Sequence, residues 1–142
     1  MPIHDRLVTD SVVMQPTLMT NTVTTTANLD CLGAAYATLR VALKSEINTN
    51  AVGPTLSLLE SDTTDSTNFA TIVADRTAEA IVTARSITYG VDMRGRKRYL
   101  RLSVTTATAT NDDITVSCIG TLSRQDVNPA GTTGAGNVVV YV

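Results

Sequence analysis

The sequence predicts a single all-β domain that folds as an antiparallel β-sandwich. Threonine is the commonest residue, and Thr, Val and Ile together make up about a third of the chain. Because β-branched side chains fit strands better than helices, this composition favours β-structure. Turn-forming segments interrupt the apolar runs about every 8 to 15 residues, which is the spacing of sandwiches, jelly rolls included. The length of 142 residues suits one domain.

Residues 1–19 predict an extended N-terminal arm, and residues 20–142 predict the body of the domain. Arg6–Met14 mixes apolar and polar residues without a helical repeat, and Pro16 is expected to break whatever this segment forms. Thr20–Ala27 is rich in β-branched residues but too polar for a central strand. It therefore predicts an edge strand.

The clearest strand of the body is Tyr36–Lys44, where apolar and polar residues alternate. Its apolar residues, Leu39, Val41 and Leu43, are expected to face the core. Phe69, which follows the polar loop Ser61–Asn68, is expected to anchor the core. Strands are also predicted for the other apolar runs bounded by turn residues: Thr55–Glu60, Phe69–Ala74, Ser86–Val91, Tyr99–Thr108, Ile114–Ser123 and Asn137–Val142.

Two connecting segments and the C-terminal segment have sequence patterns of their own. The strands on either side of Asn111–Asp113 form the strongest hairpin signal in the chain. Asp75–Arg85 permits a short helix or an irregular crossing, because its apolar spacing is helical but its threonines are poor helix formers. Asn137–Val142 is apolar and β-branched, so it is expected to pair with a strand, with the chain's own sheet preferred over a partner's.

The chain has few residues equipped for chemistry. The single histidine, His4, is the only imidazole that could act as a base, and a nucleophile would need it within hydrogen-bond reach. Cys31 and Cys118 are expected to be small buried residues rather than a disulfide. Four aspartates lie in polar turns, where their side chains bond the local backbone: Asp62 with Asp65, and Asp112 with Asp113. The sequence predicts no enzyme, no cofactor and no metal site.

Charge and hydropathy narrow the range of partners. The net charge is −2 and only 17% of residues are charged, which argues against nucleic-acid binding through phosphate neutralisation. No run approaches the ~18 consecutive apolar residues of a membrane span. Residues 1–10 lack the basic start and apolar stretch of a signal peptide. We therefore expect no nucleic acid and no membrane among the partners.

One local concentration of positive charge stands out. It comprises Arg94, Arg96, Lys97, Arg98 and Arg101. This cluster fits a surface for an acidic partner and fits equally well a solvated turn. Tyr99 shares a strand face with Arg101, and both residue types are enriched at protein interfaces.

Two runs of the sequence resemble a known group of proteins. They are LSLLESDTTDSTNF at 56–69 and YGVDMRGRKRYLRLSVTTATATNDDITVSCIGTLSR at 89–124. A polar loop between a strand and a phenylalanine, a basic turn entering a strand, and a Thr- and Asn-rich turn before a strand of small residues resemble the small capsid decoration proteins of tailed bacteriophages. These are also called cement or head-stabilising proteins. The likeness covers about half the chain.

The resemblance implies a β-sandwich of jelly-roll type on the outer surface of a virion. Such a protein, made in the host cytoplasm, would bind the major capsid protein, stabilise contacts between its subunits and form a homo-oligomer, a dimer or a trimer. Apolar termini could add strands to a neighbour. The candidate partner-binding residues are Arg94, Arg96, Lys97, Tyr99, Arg101, Val138, Val140 and Tyr141.

A second function stays open on the sequence alone. A carbohydrate- or receptor-binding β-sandwich module of a phage virion would share the fold. Sugar sites usually present exposed aromatic platforms, however, and this chain has four tyrosines, one phenylalanine and no tryptophan.

Overall fold

The structure is a computed structural model, and it describes residues 9–20, 23–45, 54–77, 84–106, 113–123 and 137–142. Two β-sheets pack face to face in this part of the chain. The strands are β1 Thr9–Met19, β2 Thr24–Asp30, β3 Tyr36–Ser45, β4 Thr55–Ser61, β5 Ala70–Thr77, β6 Arg85–Asp92, β7 Tyr99–Thr105, β8 Ile114–Ser123 and β9 Asn137–Tyr141, with a short 3₁₀ turn at Ser66–Asn68.

The strand order is that of a jelly roll. One sheet has the order β1-β8-β3-β6-β9 and the other has the order β2-β7-β4-β5. The first eight strands form two interlocked Greek keys, with every neighbouring pair antiparallel. The predicted antiparallel β-sandwich of jelly-roll type is confirmed. β9 extends the first sheet as a ninth strand and runs parallel to β6, which the sequence does not indicate.

The core lies between the sheets and follows the predicted alternation. The inward residues of β3 are Leu39, Val41 and Leu43, and each is at most 1% exposed. Those of β7 are Leu100, Leu102 and Val104, and all are fully buried. These aliphatic side chains form one continuous cluster with residues from both sheets. Tyr89 is the largest side chain buried in it.

The N-terminal arm is described from residue 9 onward and is a strand of the sheet. Thr9–Met19 pairs with β8, with the buried Met14 and Met19 on its inner face. Pro16 does not end the strand as expected. The chain accommodates it at a register irregularity between Met14 and Thr17, on an edge strand where one backbone N–H needs no partner. The division into an arm at 1–19 and a body at 20–142 stays a prediction.

The other element predictions have mixed outcomes. β2 lies at the edge of its sheet, as predicted, although it begins only at Thr24. Cys31 and Cys118 are buried free thiols, also as predicted. Asp75–Thr77 completes β5 and Arg85 begins β6. The possible helix between them, at 78–83, lies outside the described residues, as do residues 111 and 112 of the predicted hairpin turn.

Candidate interaction surface

Three turns meet at one end of the sandwich and bring the predicted basic residues together. We call residues 31–35, 62–69 and 93–98 the turn cluster; they connect β2 to β3, β4 to β5 and β6 to β7. The backbone ties the first turn to the third: Cys31 N donates to Arg98 O at 2.9 Å, and Met93 N donates to Ala35 O at 2.8 Å. Gly95, at φ +82°, supplies the left-handed residue of the third turn.

The Arg94 side chain binds Asp92, the last residue of β6. Its Nη2 lies 2.6 Å from Asp92 Oδ2 and its Nε donates to Asp92 Oδ1 at 2.9 Å. The same Nη2 donates to the Tyr36 hydroxyl at 2.7 Å, and the guanidinium lies 5.2 Å from the Tyr36 ring centre. Hydrogen bonds from the Arg94 side chain and backbone lower the pKa of Asp92 to about 2. Arg94 and Asp92 thus neutralise each other at the surface of the protein.

Arg98 links the first strand of its sheet to the turn cluster. Its Nη2 and Nε donate to Asp30 at 2.6 and 2.9 Å, so the pair is bidentate. The hydrogen bond from Arg98 is the main reason that the pKa of Asp30 is lowered. Asp30 also accepts a hydrogen bond from Leu32 N at 3.1 Å, and the Arg98 guanidinium lies 4.8 Å from the Tyr99 ring centre. One carboxylate therefore holds two turns together.

Glu60 performs the same task at the end of β4. Its carboxylate lies 3.7 Å from Arg96 Nη1 and accepts a hydrogen bond from Lys97 N at 3.3 Å. Asp62 accepts a longer one from Arg98 N at 3.4 Å. A shallow polar pocket of about 280 Å³ opens beside them, and it is lined by Ser61, Asp62, Thr63, Asn68 and Lys97.

Phe69 is not the core anchor that the sequence predicts. It is half-buried, lies outside the core cluster and is covered by Arg101, whose guanidinium carbon is 3.6 Å from the ring centre. Arg101 Nε also donates to Asn28 Oδ1 at 2.8 Å. The polar loop before Phe69 is closed by Asp65, which accepts hydrogen bonds from Thr67, and this loop delivers the ring to the outer face of the sheet.

The charges of this surface are balanced. The five cations predicted from the sequence are accompanied by five carboxylates, namely Asp30, Glu60, Asp62, Asp65 and Asp92. The sequence predicts the cations but not that these carboxylates accompany them, because four of the five come from other parts of the chain. Asp30 is in β2, Glu60 is in β4, and Asp62 and Asp65 lie in the loop after β4. Asp92 is the exception, since it lies only two residues from Arg94. The sequence pattern reads as a basic patch, whereas in the structure three of its cations, Arg94, Arg96 and Arg98, each have a carboxylate partner.

The C-terminal strand lies next to the turn cluster. The prediction that it pairs with the chain's own sheet is confirmed: Val138, Val140 and Tyr141 are in register with residues of β6. Beyond β9, Val142 O accepts a hydrogen bond from Asp92 N at 3.0 Å. Because Asp92 also binds Arg94, the two predicted groups of partner-binding residues adjoin at this corner of the molecule.

In the described ranges, no three His, Cys, Asp or Glu side chains are grouped so that they could hold a metal ion. No helix among the residues that the structure covers is long and apolar enough to cross a membrane.

Comparison with known proteins shows similarity at the level of the fold. No protein-family model and no curated protein matches the chain. A chain of the T13 IBDV viral particle superposes with a TM-score of 0.55 at 9% identity, over 84% of this chain and 31% of that one. A chain from infectious bursal disease virus, Gx strain, gives a TM-score of 0.49 at 10% identity, over 85% and 34%. The protein thus spans about a third of the length of these viral chains.

Proposed function

We propose that this protein is a structural component of a virion that binds the outside of a tailed-phage capsid and stabilises contacts between major capsid subunits. The observation that carries the proposal is the jelly roll, shared over 84% of the chain with part of a viral-particle chain. The sequence resemblance to phage decoration proteins gives independent support. Its two runs include most of β4 with the loop that follows it, the second half of β6, and all of β7 and β8.

The proposed role requires contact surfaces and no chemistry. Both cysteines are buried, and burial raises the pKa of each thiol to about 12, so neither is a ready nucleophile. The carboxylates within and beside the turn cluster are held by arginines or by backbone N–H groups. These carboxylates therefore fix the three turns in place.

In this proposal the turn cluster contacts the major capsid protein. Its balanced charge suits a partner that offers hydrogen bonds and mixed charges rather than an acidic patch. Arg96, Lys97 and Tyr99 are the contacts we favour, because the bidentate pairs of Arg94 and Arg98 already occupy their guanidinium groups. Individual contacts can be weak, since many copies on one capsid act together.

The carbohydrate-binding alternative receives less support. A sugar platform needs an open aromatic face. Tyr36, Phe69 and Tyr99 each have an arginine guanidinium against the ring, at 5.2, 3.6 and 4.8 Å from the centre. A guanidinium thus already occupies a face of each of these three rings.

The direct test mixes the purified protein with heads of the parent phage that lack it. Saturable, stoichiometric binding and a raised disassembly temperature of the heads are expected. The double variant Arg96→Glu/Lys97→Glu is expected to bind weakly, because it reverses two charges in the contact that we favour. Its melting temperature is measured in parallel, since Arg96 also lies 3.7 Å from Glu60. Arg40→Glu, on the exposed outer face of β3, is the matched control. Absence of binding by the parent protein would overturn the proposal and direct attention to glycan arrays.

A further inference from the structure

Three of the four sheet edges carry features that discourage pairing with another strand. β1 contains Pro16 and two register irregularities. β5 also has two irregularities in its pairing with β4, and its sequence includes Asp75 and Arg76. β2 ends in the charged Asp30 and contacts β1 at the corner between the sheets. Proline, charge and bulges of this kind are the usual protection of exposed edges.

β9 has none of these features. Its register with β6 is continuous from Asn137 to Tyr141, and its sequence, NVVVY, contains no proline and no charged residue. Among the described residues no strand pairs with its other edge. In the part of the chain that the structure describes, the five-stranded sheet therefore ends in a row of backbone N–H and C=O groups able to accept a further strand.

We propose that the open edge of β9 pairs with β9 of a second copy of this chain, antiparallel across a two-fold axis. Two five-stranded sheets would then form one continuous sheet. An uncharged strand is self-complementary, because no like charges meet when it pairs with itself. The inference deepens the proposed function by naming the partner of Val138, Val140 and Tyr141.

The contact is weak on its own. A pair of five-residue strands covers much less than the ~1,600 Å² of a standard interface. Its strength on a capsid comes from many copies held at high local concentration. In solution it is detected by trapping rather than by purification of a stable dimer.

The test introduces one cysteine at the centre of β9 and uses a short bifunctional thiol crosslinker. Position 139 is in register with Thr88, between the pairs that Val138 and Val140 make with the buried Ile87 and Tyr89. Cys31 and Cys118 do not compete, because both are buried with a pKa raised to about 12. The matched control is Val12→Cys, at a 64% exposed position on the opposite edge.

A concentration-dependent covalent dimer from Val139→Cys, and little or none from Val12→Cys, is the expected result. Val139→Lys should abolish the dimer seen by sedimentation of the otherwise unmodified protein, since two lysines would then oppose each other. Equal crosslinking at both positions, or no covalent dimer from Val139→Cys at any protein concentration, would overturn the inference. Neither result would affect the proposed function, which head binding tests separately.

Discussion

The guanidinium of Arg101 lies over the ring of Phe69, 3.6 Å from its centre, on the outer face of the four-stranded sheet. The two residues come from β7 and from the end of the β4–β5 loop. Arg101 is fixed further by its hydrogen bond to Asn28 on β2. These contacts therefore connect β2 and β7 across the outside of the sandwich and hold the 62–69 loop against the sheet.

Substituting Arg101 is expected to weaken the fold modestly. Arg101→Ala removes the cation–π contact, which is worth about 1 kcal/mol at a partly exposed site. Arg101→Lys keeps the charge but loses the planar stacking surface, so it should recover only part of the loss. The urea midpoints of both variants provide the measurement. Equal stability of Arg101→Ala and the parent protein would show that the stack contributes nothing.

Stability should decline in acid through Asp92. Its pKa is lowered from 3.8 to about 2 by Arg94, so its carboxylate binds the proton less readily in the folded than in the unfolded chain. The stabilisation is present above the unfolded pKa and is lost as the pH falls through the folded pKa, from about 4 to about 2. Melting temperatures across this range, compared with Asp92→Asn, test this. The variant should show a shallower decline.

The fold could be predicted from the sequence because its core depends on local alternation. The alternation of apolar and polar residues in β3 and β7 is visible in the sequence alone, and it determines which side chains of each strand are buried. The pairing of Arg98 with Asp30 could not be predicted, since 68 residues separate them and only the jelly-roll order makes β2 and β7 neighbours. The position of Phe69 could not be predicted for the same reason, because the ring is covered by Arg101 from another part of the chain.

Gly120 is expected to be intolerant of a side chain. A Cβ built there would lie 2.8 Å from Val13 Cγ2 and 2.9 Å from a Leu29 methyl group. Overpacking of this kind typically costs about 1–3 kcal/mol, so Gly120→Ala should lower the melting temperature. The companion change Val13→Ala opens space on one side and should restore part of the loss. Independent, additive effects of the two changes would contradict the proposed steric cause.

The two native thiols should react only on unfolding. Burial raises the pKa of Cys31 and Cys118 to about 12, so at a pH of about 8 the reactive thiolate is scarce as well as inaccessible. Titration with a chromogenic disulfide reagent should give almost no colour in buffer and two thiols per chain in urea. Rapid reaction of either thiol in buffer would mean that the sandwich opens readily around it.

Removal of residues 137–142 tests what β9 contributes to the chain that carries it. The deletion uncovers β6, whose Ile87, Tyr89 and Val91 are buried in the core, and removes the two hydrogen bonds that Val142 makes with Gly90 O and Asp92 N. Loss of stability and of cooperativity is expected, because one edge of the five-stranded sheet then loses its cover. Thermal unfolding followed by circular dichroism measures both.

The control is deletion of Val142 alone, which leaves the strand pairing intact and should have the smaller effect. Unchanged unfolding of the longer truncation would show that β9 is dispensable for the fold and leave pairing with other copies as its only role.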